Sequence, residues 1–235
     1  MELVKIIEVI AITLEDARRV ERYGGDRIEL VSALTEGGLT PSYSLIRNVM
    51  KSVNIPVNVM VRPHSKSFVY TYEEIEMMKE DIKIIKELGA YGVVLGALNE
   101  RMEICEEGLQ ELLTVCQDLH VTFHRAVDCL SDPIEGIKIL REYPEIKAVL
   151  TSGGHGHITD NIEIINRMIE EAKGIDIILG GGLNLENISH MIKATRAQWY
   201  HFGTGLRENN CAFGEIVPKK LESLRDQCEN MAALK

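Results

Sequence analysis

Apolar residues along the chain fall into short runs that alternate with longer segments of helical periodicity. Runs that read as strands cover residues 5–11, 26–31, 57–62, 92–95, 120–124, 147–151, 175–179 and 199–202. Amphipathic segments follow each of them, at 15–23, 42–53, 72–88, 103–118, 132–141, 161–173, 185–194 and 218–229. Start and stop signals bound several helices: Pro41 before the second, Asp132-Pro133 opening the fifth, and Gly24-Gly25 and Gly89 closing the first and third.

Eight strand–helix pairs in 235 residues match a (β/α)8 TIM barrel, a fold of about 250 residues. A doubly wound sheet is the competing α/β architecture, but it carries a Gly-x-Gly-x-x-Gly turn after its first strand. Here that strand runs into Ile12-Thr13-Leu14, without a glycine. No linker or low-complexity tract breaks the rhythm, so residues 1–235 are expected to form one TIM-barrel domain.

Composition adds mainly exclusions. With 45% hydrophobic residues the chain can bury a substantial core. Its 36 acidic against 26 basic residues give a net charge of −10, which repels polyphosphate backbones and argues against nucleic-acid partners. No apolar run approaches the ~20 residues of a membrane helix, and the first residues lack the basic flank and cleavage site of a secretion signal. The expectation is therefore a cytoplasmic protein without a membrane partner. Five cysteines, none in a Cys-x-x-Cys pair, argue against a disulfide framework or a zinc ribbon.

In a TIM barrel, chemistry collects at the C-terminal ends of the strands. Glu8 and Glu29 interrupt the first two apolar runs. Asn58 and Arg62 share one side of the third strand, and Thr122 and His124 one side of the fifth, because side chains alternate with period two. Arg125 and Asp128 follow directly, and His201 lies in the last strand. A single glutamate within a strand can simply pair with a core arginine. A set of acids, arginines and histidines at one mouth points instead to binding or catalysis, since each buried charge must be partnered. We assign Glu8, Glu29, His124 and Asp128 as candidate catalytic residues, and Arg62, Arg125 and His201 as ligand-binding residues.

Two glycine-rich strand ends extend the ligand-binding set: Ser152-Gly153-Gly154 and Gly180-Gly181-Gly182. Such loops let backbone N–H groups approach an anion, and a helix opening at Asn184 or Leu185 would add its positive end, which predicts a phosphate-binding site. Tight turns are the alternative. His155 and His157, in a glycine-flanked segment, read as solvated loop residues more readily than as a metal pair.

Several of these motifs resemble the CutC copper-homeostasis family. They are Ile28-Glu29-Leu30, Ser32 through Ser42 (SALTEGGLTPS), Val61-Arg62-Pro63, Thr122 through Asp128 (TFHRAVD), Leu150 through Gly154 (LTSGG) and Gly180 to Gly182, all in the family's order. The resemblance implies a cytosolic TIM barrel, homo-oligomeric in many members, with a role in copper homeostasis through copper(I) binding or trafficking. The family commonly has cysteines where this chain has Ile10 and Val31, and neither side chain can bind the soft copper(I) ion. Copper ligands would then have to come from Cys129, Cys211, Met60 or the histidines. The alternative is a TIM-barrel enzyme that performs acid/base chemistry at the C-terminal mouth on a small anionic metabolite, phosphorylated or not. Arg62 and Arg125 would hold the anion, and a divalent metal bridging the carboxylates is a variant of this reading.

Overall fold

A computed structural model describes residues 5–232, so the ends of the 1–235 range assigned above lie outside the described residues. Eight parallel strands pair in sequence order, and β1 closes on β8 to complete the barrel. They are β1 (Ile6–Ala11), β2 (Arg27–Leu30), β3 (Val57–Met60), β4 (Gly92–Leu95), β5 (His120–Phe123), β6 (Ile146–Thr151), β7 (Asp176–Leu179) and β8 (Trp199–Phe202). Eight helices alternate with them: α1 (Leu14–Arg22), α2 (Tyr43–Met50), α3 (Tyr72–Glu87), α4 (Glu106–Cys116), α5 (Pro133–Leu140), α6 (Ile162–Ala172), α7 (Ile188–Ala194) and α8 (Pro218–Ala232). The expected (β/α)8 barrel is the observed fold. No helix among the described residues is long and apolar enough to cross a membrane.

Local chemistry explains where helices begin. Thr13, Ser42 and Thr71 accept backbone N–H bonds at the starts of α1, α2 and α3, and Thr71 with Glu74 forms a reciprocal capping box. Asp132 caps α5, with Pro133 in its first turn. Two starts differ from the periodicity. The segment expected to be helical from residue 103 begins α4 at Glu106, because Asn99 Oδ1 accepts from the N–H groups of Arg101 and Glu103 and holds a turn there. The helix expected from Asn184 or Leu185 begins at Ile188, because Asn184 Oδ1 accepts from Glu186 and Asn187 in the same way. The anion-binding helix end assigned to that position is therefore absent.

Strand alternation sorts the side chains into two environments. Ile7, Val9, Ala11, Ile28, Leu30, Val57 and Val59 enter the apolar layer between sheet and helices. Their neighbours face the barrel axis. Ile10, Val31, Met60 and Val94 form one separate apolar cluster, and Ala148, Leu150 and Ile178 another. Between these lie polar side chains that are almost fully buried: Glu8, Arg27, Glu29, Asn58, Thr122 and His201.

Closure of the barrel is reinforced beyond β8. Arg207, almost fully buried, donates from Nη2 to Asp16 Oδ2 (2.9 Å) and to the Ile10 carbonyl (3.1 Å), and from Nη1 to the Gly214 carbonyl (2.9 Å). It thus ties the segment after β8 to β1 and α1. Replacing Arg207 by Ala strands the buried Asp16 carboxylate, and should cost about 3–5 kcal/mol in urea unfolding. A loss below about 1 kcal/mol would mean the tie carries little of the closure.

Candidate functional site

The barrel interior is organised by Glu8. Its Oε2 accepts from Arg27 Nε at 2.5 Å, and its Oε1 lies 2.8 Å from His201 Nδ1. These residues meet because β1 pairs with both β2 and β8, setting Glu8 level with Arg27 on one side and His201 on the other. The Arg27 guanidinium also stacks on Trp199, 4.1 Å from the ring centroid. Burial alone would raise the Glu8 carboxyl, but the Arg27 charge and the His201 hydrogen bond outweigh it and hold the group at about 2.

Glu29 shares the cluster on different terms. Its Oε2 is 3.5 Å from His201 Nδ1, beyond a good hydrogen bond, and is buried without a partner. Burial raises its carboxyl to about 7; the His201 charge opposes the rise and the Glu8 charge adds to it. His201 moves upward as well: burial works against its charged form, and the Glu29 and Glu8 carboxylates overcome that. The outcome is an ionised Glu8, with a proton shared within reach of Glu29 and His201.

Above this cluster opens a cavity of about 560 Å³ at the C-terminal mouth. Glu29 and His201 reach it, along with Arg62, His124, Arg125 and Asp128. Arg62 donates from Nη1 to the carbonyls of Glu36 (2.8 Å) and Gly38 (3.1 Å), and its guanidinium lies 4.7 Å from the Phe68 ring centroid. Gly37 and Gly38 sit at φ +83° and +91°, which L side chains rarely adopt, and this bend wraps the Glu-Gly-Gly segment around the arginine. His124 packs against Phe68 with ring centroids 4.7 Å apart. Its Nδ1 accepts from the Ala126 N–H (3.2 Å), which places the ring proton on Nε2, a buried atom without a partner. Burial, and then the nearby Arg62 charge, push His124 down to about 3, so the ring is neutral.

Asp128 is a knot that shapes the loop after β6. Its carboxylate accepts from Arg125 Nε (2.8 Å), Thr151 Oγ1 (2.5 Å), Ser152 Oγ (2.8 Å), and the N–H groups of Ser152 (3.0 Å) and Gly154 (3.1 Å). Gly153 N–H donates to Thr151 Oγ1 (2.8 Å). The amides of residues 152–154, expected to cradle an anion, are thus all spent inside the protein. Gly180 N–H is also spent, on the Thr151 carbonyl (2.9 Å), and Gly180 is packed close: a Cβ there would stand 2.7 Å from Leu150 and 3.1 Å from His201. Gly181 and Gly182 remain on the cavity wall. His155 is exposed and lines the same wall.

Three residues of the site escaped the sequence reading. Arg27 could have been found, because it precedes Glu29 by two residues in one strand and so faces the same side. Phe68 and Leu183 carried no local signal.

Copper(I) finds no fitting donor set in this arrangement. Ile10 and Val31 pack with Met60 and Val94 in an apolar cluster that offers no thiolate. All five cysteines are free of disulfides; Cys129 borders the cavity, while Cys211 is exposed on the surface. Among the described residues, the one group of three histidine, cysteine or carboxylate side chains with metal-ligand spacing is Glu8, Glu29 and His201, whose donor atoms lie within 4.8 Å of one another. Those oxygen and nitrogen atoms could hold a metal ion of the harder, divalent kind, although the Arg27 cation already lies against Glu8.

The buried proton on Glu29 has a thermodynamic signature. The folded state holds this proton between the ordinary carboxyl value of 4.5 and about 7, whereas the unfolded state has released it. Stability from this group therefore falls as pH rises through that window, by roughly 3 kcal/mol in all. Glu29→Gln removes the slope, so urea unfolding should show the variant gaining on the natural chain as pH rises from 4.5 to about 7. A stability difference that is flat across this window would contradict the assignment.

The CutC family model matches residues 5–205. A human protein described as a copper homeostasis protein cutC homolog is 41% identical over 197 residues, 83% of this chain and 72% of that protein. A CutC family protein from Histophilus somni is 40% identical, covering 83% of this chain and 80% of its own length. Among solved structures, a CutC from Streptococcus agalactiae superposes with a TM-score of 0.80 at 33% identity, over 86% of this chain and 99% of that one. A phosphoribosyl anthranilate isomerase from Thermococcus kodakaraensis, 18% identical with a TM-score of 0.67 over 97% of this chain and all of its own, shares the barrel fold alone. The matched family region contains the Glu8 cluster, the arginine-lined mouth and the Asp128 knot. This chain belongs to the CutC family.

Proposed function

We propose that the mouth of this barrel is an acid–base catalytic site for a small anionic metabolite. The observation that carries the reading is Glu29 Oε2, an unpartnered and buried carboxyl oxygen in a residue that lines the cavity. A carboxyl with a pKa of about 7 suits proton transfer near neutrality, where both its acid and base forms are populated. His201 sits 3.5 Å away and is the group through which Glu29 would be recharged, while Glu8 and Arg27 hold His201 in place. His124, held neutral, would donate from Nε2 to an oxygen that gains charge during the reaction, the task of an oxyanion donor. Arg62 and Arg125 would bind the anionic group, and Asp128 would orient Arg125.

The family's copper role is the second reading, favoured by the names of the human relative and the Streptococcus agalactiae structure rather than by this chain's donor atoms. If the chain acts in copper homeostasis, this donor set favours an indirect route over copper(I) capture. A cytoplasmic homo-oligomer, as expected for the family, is compatible with both readings.

Proton transfer next to a carbonyl reveals itself as deuterium exchange. A panel of small hydroxy- and oxo-metabolites, carboxylated and phosphorylated, should show catalysed exchange in heavy water by proton NMR for at least one member. Glu29→Gln should lower that rate by about 10²–10⁴-fold with folding intact. Undiminished exchange in Glu29→Gln would sink the assignment. An anaerobic copper(I) titration against a chelator should show only weak, non-saturating uptake; saturable one-to-one capture would return copper to the centre of the function.

A further inference from the structure

The two glycine loops that look alike in sequence differ in how their backbone donors are used. After β6 every amide from 152 to 154 is bonded within the protein. After β7 the N–H groups of Gly181, Gly182 and Leu183 find no acceptor among the described residues, and after β8 the same holds for Gly203 and Thr204. All five residues line the mouth cavity. The two loops are in contact, since a Cβ on Gly205 would stand 2.2 Å from the Leu183 carbonyl oxygen. Leu183 is buried, Gly181 and Gly203 are half-buried, and Gly182 and Thr204 are exposed, so the wall carries five N–H groups that no protein acceptor takes and that a ligand can reach.

Arg125 completes that surface. Its guanidinium lies against Gly181, where φ is +93° and a Cβ would come within 2.7 Å of Cζ, so a side chain there would be strained and would push the guanidinium aside. Nε is fixed by Asp128 and Nη2 by Ser152 Oγ, which leaves Nη1 uncommitted and directs the fork. At Gly182 the opposite holds: a Cβ would meet nothing within 4 Å, yet φ is +109°, so this glycine serves the shape of the loop and not its packing. Three acids border the cavity. Asp128 is saturated by its own donors, Glu36 sits in the loop whose carbonyls hold Arg62, and Glu29 is the acid–base residue.

We propose that the β7 and β8 loops form a phosphate seat, and that the substrate of this site is a phosphate monoester. Five N–H groups and the uncommitted Nη1 of Arg125 exceed the roughly four acceptor sites of a carboxylate, whereas the three outer oxygens of a phosphate monoester accept six or more hydrogen bonds. The inference rests on the acid–base reading for its catalytic meaning, since the seat would present the rest of the molecule to Glu29 and His124.

Inorganic phosphate is the probe. Added to the full chain, it should bind saturably and shift the amide resonances of Gly181, Gly182, Leu183, Gly203 and Thr204, while those of residues 152–154 stay in place. Arg125→Gln should weaken binding by about tenfold or more, and Arg125→Lys should restore part of it. Glu29→Gln should bind phosphate within about twofold of the natural chain, because Glu29 is not part of the seat. Absence of saturable binding, or shifts confined to other residues, would overturn the proposal. So would acetate moving these five amides where phosphate does not, an outcome that leaves the acid–base site standing. Phosphate binding without any exchange activity would keep the seat and remove the catalytic reading.

Discussion

A carboxylate in the middle of a barrel must find a cation, and in this protein Glu8 finds two. Arg27 comes from the next strand and His201 from the last, 193 residues away along the chain. Barrel closure is the condition for the second, because only the β1–β8 ladder sets Glu8 beside His201, whereas the β1–β2 ladder brings Arg27. Taking one partner away would leave a buried charge uncompensated at a cost of about 3–5 kcal/mol, so the cluster and the closed sheet stabilise one another. Glu29 lives in the space this arrangement leaves. With Arg27 committed to Glu8, the second carboxyl has no cation of its own and keeps its proton to about pH 7. The raised pKa of Glu29 is thus a consequence of how Glu8 is satisfied.

The mouth follows a similar economy of partners. Asp128 gathers the loop after β6 by accepting its amides and hydroxyls, and in doing so orients Arg125. Arg62 is held by the carbonyls of the Glu-Gly-Gly bend, and Phe68 bridges it to His124. Both arginines therefore commit some donors to the protein and leave others without a protein partner. An acidic protein with a net charge of −10 thus gathers two arginines in one recess, the arrangement from which the proposed anion site is drawn.

Much of this was legible in the sequence, for physical reasons. Strands betray themselves by alternation, and polar residues such as Glu8, Glu29, Asn58 and Thr122 stand out because burial makes them costly. The eight-fold rhythm followed from apolar runs that the helix layer requires. Helix starts at Glu106 and Ile188 were misplaced because Asn99 and Asn184 bend the backbone through local side-chain bonds that periodicity does not register. The two glycine loops could not be told apart, since what distinguishes them is whether Asp128, from another strand end, reaches their amides. Arg207, Asp16 and Phe68 act through contacts across the fold that no local pattern encodes. Ile10 and Val31 were informative in both settings: the sequence shows two non-ligands, and the structure shows them packed as apolar lining beside Met60.

The most direct measurement is a carbon-13 NMR titration of glutamate side-chain carboxyls, with Glu29 assigned by its disappearance in Glu29→Gln. The account predicts that the Glu29 carboxyl titrates at about pH 7. A Glu29 midpoint at the ordinary carboxyl value of 4.5 would contradict it, because the carboxyl would then be fully ionised at neutral pH and unable to serve as the acid.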